Sequence, residues 1–254
     1  MRKLDNILHF NEKVILITGA SSGIGSDLAR LCSSLGAQLI LCGRNVERLN
    51  IVSDEIVENG GIVLQKHCGD LTDSDFLKEV SESIPVIHGL ALNAGINYIS
   101  TVKTLNLKAL HHVMEVNTYS PILLMKMILK AKKFSNAASV VFTSSIAGFQ
   151  RSSMGNSIYS TSKAALHGFM RNAALELASA GIRVNSVNPG MVETELLGKN
   201  GITQEQYDLD RKTYPLGRYG KPRDVSNAIA FLLSDASSWI TGTAMVVDGG
   251  VTLR

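Results

Sequence analysis

The chain has 254 residues, 45% of them apolar, and its 25 basic and 22 acidic side chains leave a formal net charge of +3. This length and apolar content suffice for one large hydrophobic core, and they exclude a disordered, collagen-like or small disulfide-stabilised protein. A charge of +3 spread over such a surface does not favour nucleic-acid binding. We therefore expect a globular protein with no nucleic-acid partner, folded as one domain over residues 1–254.

The cysteines and the longest apolar stretch indicate where the protein resides. Cys32, Cys42 and Cys68 form an odd number and lie beside apolar residues, so we predict three buried, reduced thiols in a cytoplasmic protein. The first ten residues have no sustained apolar run and do not resemble a signal peptide. The apolar stretch 121–129 is interrupted by Lys126 and is too short to span a bilayer, so no membrane partner is expected.

Short runs rich in Val, Ile and Leu alternate along the chain with longer segments of helical period. This alternation is typical of βαβ units and predicts an α/β fold with a doubly wound, parallel, seven-stranded sheet and helices on both faces. The predicted strands are 14–18, 38–42, 62–67, 86–92, 139–143, 183–187 and 244–247. The predicted helices are 24–35, 46–59, 73–83, 104–132, 158–180 and 223–233.

Glycines support the predicted helix ends, since Gly36, the pair Gly60 and Gly61, and Gly181 follow helices where a left-handed residue is favoured. The polar segment 195–219 has no clear strand pattern. Long irregular segments in compact proteins are usually functional lids or poorly ordered loops, so this segment is the candidate substrate loop.

The first predicted strand leads directly into Thr-Gly-Ala-Ser-Ser-Gly-Ile-Gly at 18–25, where a helical pattern begins. Glycines at a strand-to-helix turn let the backbone approach a pyrophosphate, and the helix N-terminus favours an anion. Ligands of doubly wound sheets bind at the carboxyl ends of the strands, where this turn lies. The alternative is that the glycines only permit a tight turn and close packing. The candidate phosphate-binding residues are Gly19, Ser21, Ser22, Gly23, Ile24 and Gly25.

Arg44 follows the second predicted strand, at the position where a carboxylate would accept the ribose 2′-hydroxyl of NAD. No carboxylate is present there, and the planar guanidinium suits a 2′-phosphate. The sequence therefore predicts NADP(H) rather than NAD(H). The alternative is that Arg44 is a solvated residue at the start of a helix.

Tyr159 and Lys163 are four residues apart in a predicted helix, so their side chains share one face. Ser145 follows the fifth predicted strand and can approach the same cleft. A tyrosine is a poor acid or base at neutral pH unless a nearby cation lowers its pKa, and Lys163 could supply that charge. Each feature also occurs by chance in helices and turns, so only their combination is specific.

In this combination the chain resembles the short-chain dehydrogenase/reductase family from about Asn11 to Gly250. The resemblance implies a Rossmann-type fold and NADP(H)-dependent hydride transfer between a carbonyl and an alcohol. The matching residues are the motif at 18–25, Asp70 with Leu71, Asn93 with Ala94 and Gly95, Asn117, Ser145, Tyr159 with Lys163, the stretch Pro189, Gly190, Met191, Val192, Glu193 and Thr194, and 247–250.

The resemblance also implies a role for each catalytic position. Tyr159 would protonate the carbonyl oxygen, and Lys163 would lower the pKa of that tyrosine and hold the nicotinamide ribose. Ser145 would polarise the carbonyl, and Asn117 would anchor a water that relays protons to Lys163. The alternative for Asn117 is a buried amide that satisfies backbone groups.

The remaining implied roles concern the cofactor. Asp70, followed by Leu71, would contact the adenine, and the turn formed by Asn93, Ala94 and Gly95 would support the adenosine side, unless it is a plain strand-ending turn. The nicotinamide would be held by Pro189, Gly190, Val192 and Thr194.

Two positions depart from the family pattern. Tyr159 follows Ser145 by 14 residues, one more than is usual, so we expect a bulge near Gly155 and Asn156. His88 stands where the family often has Asp, and a structural role is expected for it. No metal site is predicted, because the neighbouring residues His111 and His112 would point about 100° apart on a helix.

The final segment, from Tyr214 to Gly250, is similar to bacterial 3-oxoacyl-carrier-protein reductases. Those enzymes usually have arginines where this chain has Asn136 and Ala180, so docking of an acidic acyl carrier protein is only partly supported. We therefore expect a reductase of a small or medium carbonyl compound, with 3-oxoacyl-[acyl-carrier-protein] reduction as the alternative. A cofactor-binding sensor without turnover is disfavoured by the intact Ser, Tyr and Lys.

The helices 104–132 and 158–180 are more apolar than packing on one face of a sheet requires. In the family that the chain resembles, these helices pack between subunits, so the resemblance implies a homotetramer with two-fold axes. The alternative is that their apolar residues are buried within one subunit.

Overall fold

The structure is a computed structural model that describes residues 8–194 and 203–254. Seven parallel strands form one sheet in the order β3-β2-β1-β4-β5-β6-β7. The strands are β1 (Val14–Thr18), β2 (Gln38–Gly43), β3 (Ile62–Cys68), β4 (Ile87–Leu92), β5 (Phe134–Thr143), β6 (Arg183–Pro189) and β7 (Ala244–Val247). The predicted parallel seven-stranded sheet is confirmed. Because the strand order reverses between β1 and β4, a crevice opens there at the carboxyl ends of the strands.

Eight α-helices are described: α1 (Gly23–Ser34), α2 (Val46–Glu58), α3 (Ser74–Ser83), α4 (Leu107–Met114), α5 (Ser120–Lys130), α6 (Ser157–Leu177), α7 (Gln204–Arg211) and α8 (Pro222–Leu233). The predicted helix ends are confirmed at Gly36, Gly60 and Gly181, whose φ angles of 92°, 80° and 72° are left-handed. Within the described ranges, no helix is long and apolar enough to cross a bilayer.

Successive residues of β1 point to opposite faces of the sheet, and both faces are covered. Leu16 belongs to a core that includes Leu77 of α3, Leu124 of α5 and Leu166 of α6. Its neighbour Ile17 belongs to a second core with residues of α1, α2 and α8. Burial on both faces explains why the central strands are continuous apolar runs.

The prediction of a single helix at 104–132 is wrong in one respect, because α4 and α5 are separated by a π-helical turn at Glu115–Tyr119. The Asn117 side chain hydrogen-bonds to the main chain of Ile96, and Thr118 Oγ1 donates to Ser162 O (2.9 Å). Pro121, in the first turn of α5, has no N–H to donate. These contacts fix a wider turn that the apolar pattern does not reveal, and such turns frequently mark functional positions.

The segment predicted as an irregular loop at 195–219 contains a helix, α7, in its second half. Thr203 Oγ1 accepts from Gln206 N (3.3 Å) and Thr203 N donates to the Gln206 side chain (2.9 Å), which is a capping box. The Thr-x-x-Gln spacing could have predicted this helix start. The first half of the predicted loop, at 195–202 with Leu196 and Leu197, lies outside the described residues.

The prediction of three buried, reduced thiols is correct for Cys32 and Cys42, but Cys68 is exposed. All three cysteines are free. Cys68 is exposed because β3 is an edge strand whose residues are mostly exposed or half-buried. The structural role expected for His88 is confirmed, since its Nδ1 accepts a hydrogen bond from Val14 N (3.1 Å) at the start of β1.

Arg183, at the start of β6, closes the C-terminal end of α8. Its guanidinium donates to Leu232 O (2.9 Å), Ser234 O (3.0 Å) and Ser237 Oγ (2.8 Å). The last carbonyls of a helix have no partner within the helix, and a cation there is favoured by the helix dipole.

We expect Arg183→Met to lower the free energy of unfolding by about 2–4 kcal/mol, because half-buried carbonyls lose charge-assisted donors. Urea denaturation measures this change. Arg171→Met, at an exposed position of α6, is the matched control and should change the free energy by less than about 0.5 kcal/mol. Equal effects of the two substitutions would contradict this account of Arg183.

Candidate active site

The turn between β1 and α1 is held tightly against the end of β4. Thr18 Oγ1 accepts hydrogen bonds from Asn93 N (3.0 Å) and Ala94 N (3.2 Å). Gly19 has φ of 67°, and a Cβ there would lie 3.0 Å from Ala94 Cα. A Cβ on Gly25 would lie 2.1 Å from Gly19 O. The glycines therefore do permit close packing, as the alternative interpretation held, and this packing also keeps side chains away from the mouth of the turn.

The first turn of α1 is the positive end of the helix, and its N-cap residue, Ser22, makes no side-chain capping bond. Gly23, with φ of 54°, has Thr194 as its neighbour: a Cβ on Gly23 would lie 3.3 Å from Thr194 Cγ2. The segment that follows β6 is therefore next to the predicted phosphate turn. Ser21 lies beside the end of β2, since its Oγ would be 3.2 Å from a Cβ on Gly43.

The residues predicted for the adenosine end gather at the ends of β2 and β3. Arg44 is exposed, and its carbonyl lies 3.5 Å from Cys68 Sγ. Asp70 Oδ1 accepts from Thr72 N (2.9 Å) and Thr72 Oγ1 (3.0 Å), and these bonds, with help from the nearby Arg44, hold the pKa of Asp70 below its usual value. Leu71 is buried in the core, so its side chain serves packing.

The turn after β4 links the phosphate side of the crevice to the predicted catalytic side. Asn93 Oδ1 accepts from Thr143 Oγ1 (3.1 Å), which joins the ends of β4 and β5. A Cβ on Gly95 would lie 3.3 Å from both Asn117 Oδ1 and Lys163 Nζ. The backbone at Gly95 therefore approaches two of the predicted catalytic residues.

Ser145, Tyr159 and Lys163 are brought together as the sequence predicted. The Ser145 side chain lies close enough to the Tyr159 hydroxyl to lower its pKa, and Lys163 Nζ lies 5.8 Å from the centre of the Tyr159 ring. Lys163 Nζ also donates to Thr143 O (2.8 Å), and Ser144 Oγ donates to Lys163 O (3.0 Å). These bonds attach the first turns of α6 to the end of β5.

Burial shifts the proton affinities of this cluster. It raises the pKa of Tyr159, which the nearby Ser145 hydroxyl lowers by less, and it lowers the pKa of Lys163 to about 8. The resemblance implies that Lys163 lowers the pKa of Tyr159. In the structure, desolvation is instead the largest influence on the pKa of both groups.

Asn117 is fully buried in the π-helical turn. Its Oδ1 accepts from Ile96 N (2.8 Å), and its Nδ2 donates to Ile96 O (2.9 Å) and Ser162 Oγ (3.0 Å). The interpretation of Asn117 as a buried amide that satisfies backbone groups therefore describes its side chain.

The segment from Pro189 to Thr194 runs along the same edge of the sheet. Pro189 O accepts from Ile146 N (3.1 Å), and Gly190 N donates to Val247 O (3.0 Å). Val192 pairs with Gly220 in a short parallel bridge. These bonds place the segment between the Ser145 loop and the end of β7, beside the phosphate turn.

Sequence reasoning missed an aromatic cluster that supports this segment. Tyr214 is buried, packs edge-on against Tyr219 at 5.1 Å, and its hydroxyl accepts from Met191 N (3.0 Å). Ile146 and Val251 complete the buried core of the cluster. The sequence places Tyr214 inside a polar loop, and no periodicity connects that loop to Met191.

The predicted bulge between Ser145 and Tyr159 corresponds to a left-handed residue, Gly155, with φ of 81°. Gly155 O accepts from Ser100 N (2.8 Å), which joins this loop to the region after β4. His111 and His112 are both exposed on α4. In the part of the chain that the structure describes, no three His, Cys, Asp or Glu side chains are arranged to hold a metal ion.

The lowered pKa of Lys163 predicts a pH dependence of stability. Between pH 8 and 10.5 the unfolded chain holds more protons on this amine than the folded chain, so its contribution to the free energy of unfolding rises with pH. From pH 7 to 9.5 the wild type should gain about 2 kcal/mol relative to Lys163→Met. Tyr159 interferes little, since its raised pKa acts only above about pH 10. Urea unfolding at both pH values tests this, and parallel profiles of the two proteins would contradict it.

Comparisons with known proteins agree with this geometry. A family model described as enoyl-(acyl carrier protein) reductase matches residues 19–252. The chain is 35% identical to a cyclohexanol dehydrogenase from Acinetobacter, over 96% of this chain and 97% of that protein. It is 32% identical to a 3-oxoacyl-[acyl-carrier-protein] reductase from Rickettsia felis, over 95% of this chain and 97% of that protein.

A similar solved structure is a putative NAD(P)-dependent gluconate 5-dehydrogenase from Beutenbergia cavernae with NADP bound at low occupancy. It has a TM-score of 0.91 and 28% identity, and the match covers 98% of this chain and all of that one. The arrangement of Ser145, Tyr159 and Lys163 beside a glycine-rich turn, together with these matches along nearly the whole length, shows that the chain belongs to the short-chain dehydrogenase/reductase family of oxidoreductases.

Proposed function

We propose that this protein is an NADPH-dependent reductase that converts a carbonyl group of a small or medium substrate to an alcohol, by a reversible reaction. The observation that carries the proposal is the position of the buried Lys163 amine 5.8 Å from the Tyr159 ring, with the buried Ser145 nearby, at the edge of the sheet where the glycine-rich turn lies. NADPH, when bound, supplies the hydride.

The residues at the crevice fit this cofactor. The space that side chains at Gly19 and Gly25 would fill is taken by close backbone packing, and the first turn of α1 offers N–H groups to a pyrophosphate. Arg44 is exposed at the end of β2, as a residue that binds a 2′-phosphate must be. The NADP bound in the similar Beutenbergia structure supports the same choice.

The proton transfers follow from the electrostatics of the cluster. Because the pKa of Tyr159 is raised, its hydroxyl is protonated at neutral pH and can donate a proton to a developing alkoxide. Ser145 would hydrogen-bond to the carbonyl oxygen. Lys163 has a pKa of about 8 and can exchange protons near neutral pH. The side-chain oxygen and nitrogen of Asn117 are both already hydrogen-bonded. Asn117 would therefore contribute to a proton relay through its main chain in the π-helical turn.

A second candidate is reduction of a 3-oxoacyl group attached to an acyl carrier protein. The relative from Rickettsia felis favours it, and the description of the family model also names a substrate carried by an acyl carrier protein, although for a different reduction. Asn136 and Ala180 argue against it, because 3-oxoacyl-carrier-protein reductases usually have arginines at these two positions. An assay with acetoacetyl thioesters, diketones and keto sugars separates the two candidates by the preferred substrate.

We also propose that the chain is one domain and assembles as a homotetramer through α4, α5 and α6. Leu107, Leu123 and Leu175 on these helices have exposed fractions of 65%, 37% and 79%, which suits burial between subunits.

Replacing Tyr159 by Phe should lower kcat for NADPH oxidation by about 10²- to 10⁴-fold, because the proton donor is lost, while NADPH still binds. Turnover and fluorescence titration of NADPH measure the two effects. Tyr219→Phe removes another buried tyrosine hydroxyl, which donates to Asp210 and not to Ser145, keeps the ring that packs in the aromatic cluster, and should change kcat by less than about threefold. Equal turnover of Tyr159→Phe and wild type would contradict the proposed role, and tight binding without turnover in the wild type would favour a sensor.

Replacing Arg44 by Asp should weaken NADPH binding by about 10- to 100-fold, since a carboxylate repels the 2′-phosphate. Binding of NADH should be unchanged or tighter, because the carboxylate can accept the ribose 2′-hydroxyl. Fluorescence titration with both nucleotides measures the ratio of the two dissociation constants. An unchanged ratio would show that Arg44 is only a solvated surface residue.

A further inference from the structure

Arg151 occupies a fixed position in the loop between Ser145 and Tyr159. Its N–H donates to Ile146 O (3.0 Å), and its carbonyl accepts from Gly148 N (3.3 Å). The loop is packed against the first turns of α6, since a Cβ on Gly148 would lie 2.3 Å from Ser160 O. The backbone of Arg151 is thus held in place in the loop that joins Ser145 to Tyr159.

The side chain of Arg151 is half-buried and makes no hydrogen bond or ion pair within residues 8–194 and 203–254. The other half-buried arginines of the described residues do have partners: Arg30 pairs with Glu55, Arg183 donates to main-chain carbonyls, and Arg211 pairs with Asp208. A guanidinium partly removed from water without an anion is unfavourable. A bound anion would relieve that cost.

Arg151 also lies close to the aromatic cluster around Tyr214, because its N–H donates to the carbonyl of Ile146, which packs in that cluster. Burial raises the pKa of Tyr214, and the charge of Arg151 opposes part of that rise. The Tyr214 hydroxyl accepts from Met191 N in the segment proposed to bind the nicotinamide. Two carboxylates near Tyr214 are already engaged elsewhere. Asp210 accepts from Tyr219 (2.9 Å), and Asp248 accepts from Gly250 N (2.9 Å) and from Thr252. Neither carboxylate pairs with Arg151, so the donors of its guanidinium are available to an anion that approaches the half-buried side chain.

We propose that Arg151 binds a negatively charged oxyanion, a carboxylate or a phosphate, carried by the carbonyl substrate. The planar guanidinium forms two parallel hydrogen bonds to such a group. An anion held there, beside the loop that leads from Ser145 to Tyr159, would orient the rest of the substrate toward those two hydroxyls. This inference rests on the proposed function, and it narrows the substrate from carbonyl compounds in general to oxo acids or phosphorylated ketones.

Pairs of substrates matched except for charge test the proposal. We would measure kcat/KM with NADPH for acetoacetate against methyl acetoacetate, for 4-oxopentanoate against its methyl ester, and for dihydroxyacetone phosphate against dihydroxyacetone. The wild type should prefer the anionic member of at least one pair, and the preferred pair identifies carboxylate or phosphate. In Arg151→Gln the ratio of anionic to neutral kcat/KM should fall by about 10- to 100-fold. Arg151→Lys, which keeps the charge but not the fork, should give an intermediate ratio.

Arg171→Gln is the matched control. Arg171 is exposed on α6, twelve residues beyond Tyr159 and so roughly 18 Å along the helix. Removing its charge should leave the ratio unchanged. If the ratio of anionic to neutral kcat/KM fell equally in Arg171→Gln and Arg151→Gln, the effect would come from net charge, and the proposal would be overturned.

A binding measurement covers the case in which no pair is turned over. The same compounds are added to the complex with NADP⁺, and the shift in Tm is compared between wild type and Arg151→Gln. A larger shift with the anions that is lost in Arg151→Gln supports the proposal, and equal shifts in both proteins overturn it. Preferred turnover of the neutral compounds would overturn the anion site while leaving the reductase function intact. Absence of NADPH binding would instead refute the proposed function itself.

Discussion

Thr18 Oγ1 accepts hydrogen bonds from the main chain of Asn93 and Ala94, and this pair of bonds fastens the end of β1 to the end of β4. The glycine-rich turn can form only because Gly19 and Gly25 allow backbone to lie against backbone there. The positions of the other site segments depend on this contact between the ends of β1 and β4. The crevice exists because the strand order reverses at these two strands.

From that join, a chain of polar contacts reaches the proposed catalytic side. Asn93 bonds to Thr143, whose carbonyl accepts from Lys163. Lys163 is buried at the start of α6, so its amine is held by one carbonyl and surrounded by little water. Burial shifts the pKa values of Tyr159 and Lys163 in opposite directions. It raises the pKa of the Tyr159 phenol and lowers the pKa of the Lys163 amine. The two values are thereby brought to the states required for carbonyl reduction: a protonated phenol and an amine that can release its proton.

The segment that follows α7 is held by apolar packing. Tyr214, Tyr219 and Val251 form an apolar cluster that joins this segment to the C-terminal residues. Through the hydrogen bond of Tyr214 to Met191, this cluster also sets the position of the segment beside the phosphate turn. Arg151 lies in the loop that leads from Ser145 to Tyr159, and its N–H donates to the carbonyl of Ile146, a member of this cluster. Under the proposed anion site, the charged group of the substrate is recognised at Arg151, apart from the residues proposed for hydride and proton transfer.

The sequence by itself determined the parallel sheet, the helix ends at glycines, the phosphate turn, and the meeting of Ser145, Tyr159 and Lys163. These follow from local rules, since periodicity, left-handed φ angles and the four-residue spacing depend on near neighbours in the chain. Tertiary structure alone decided the π-helical turn at Asn117, the exposure of Cys68 on an edge strand, and the contact of Tyr214 with Met191. It also decided the direction of the Tyr159 pKa shift. Each of these depends on contacts between residues far apart in sequence, and desolvation in particular is a property of the packed molecule that no spacing along the chain encodes.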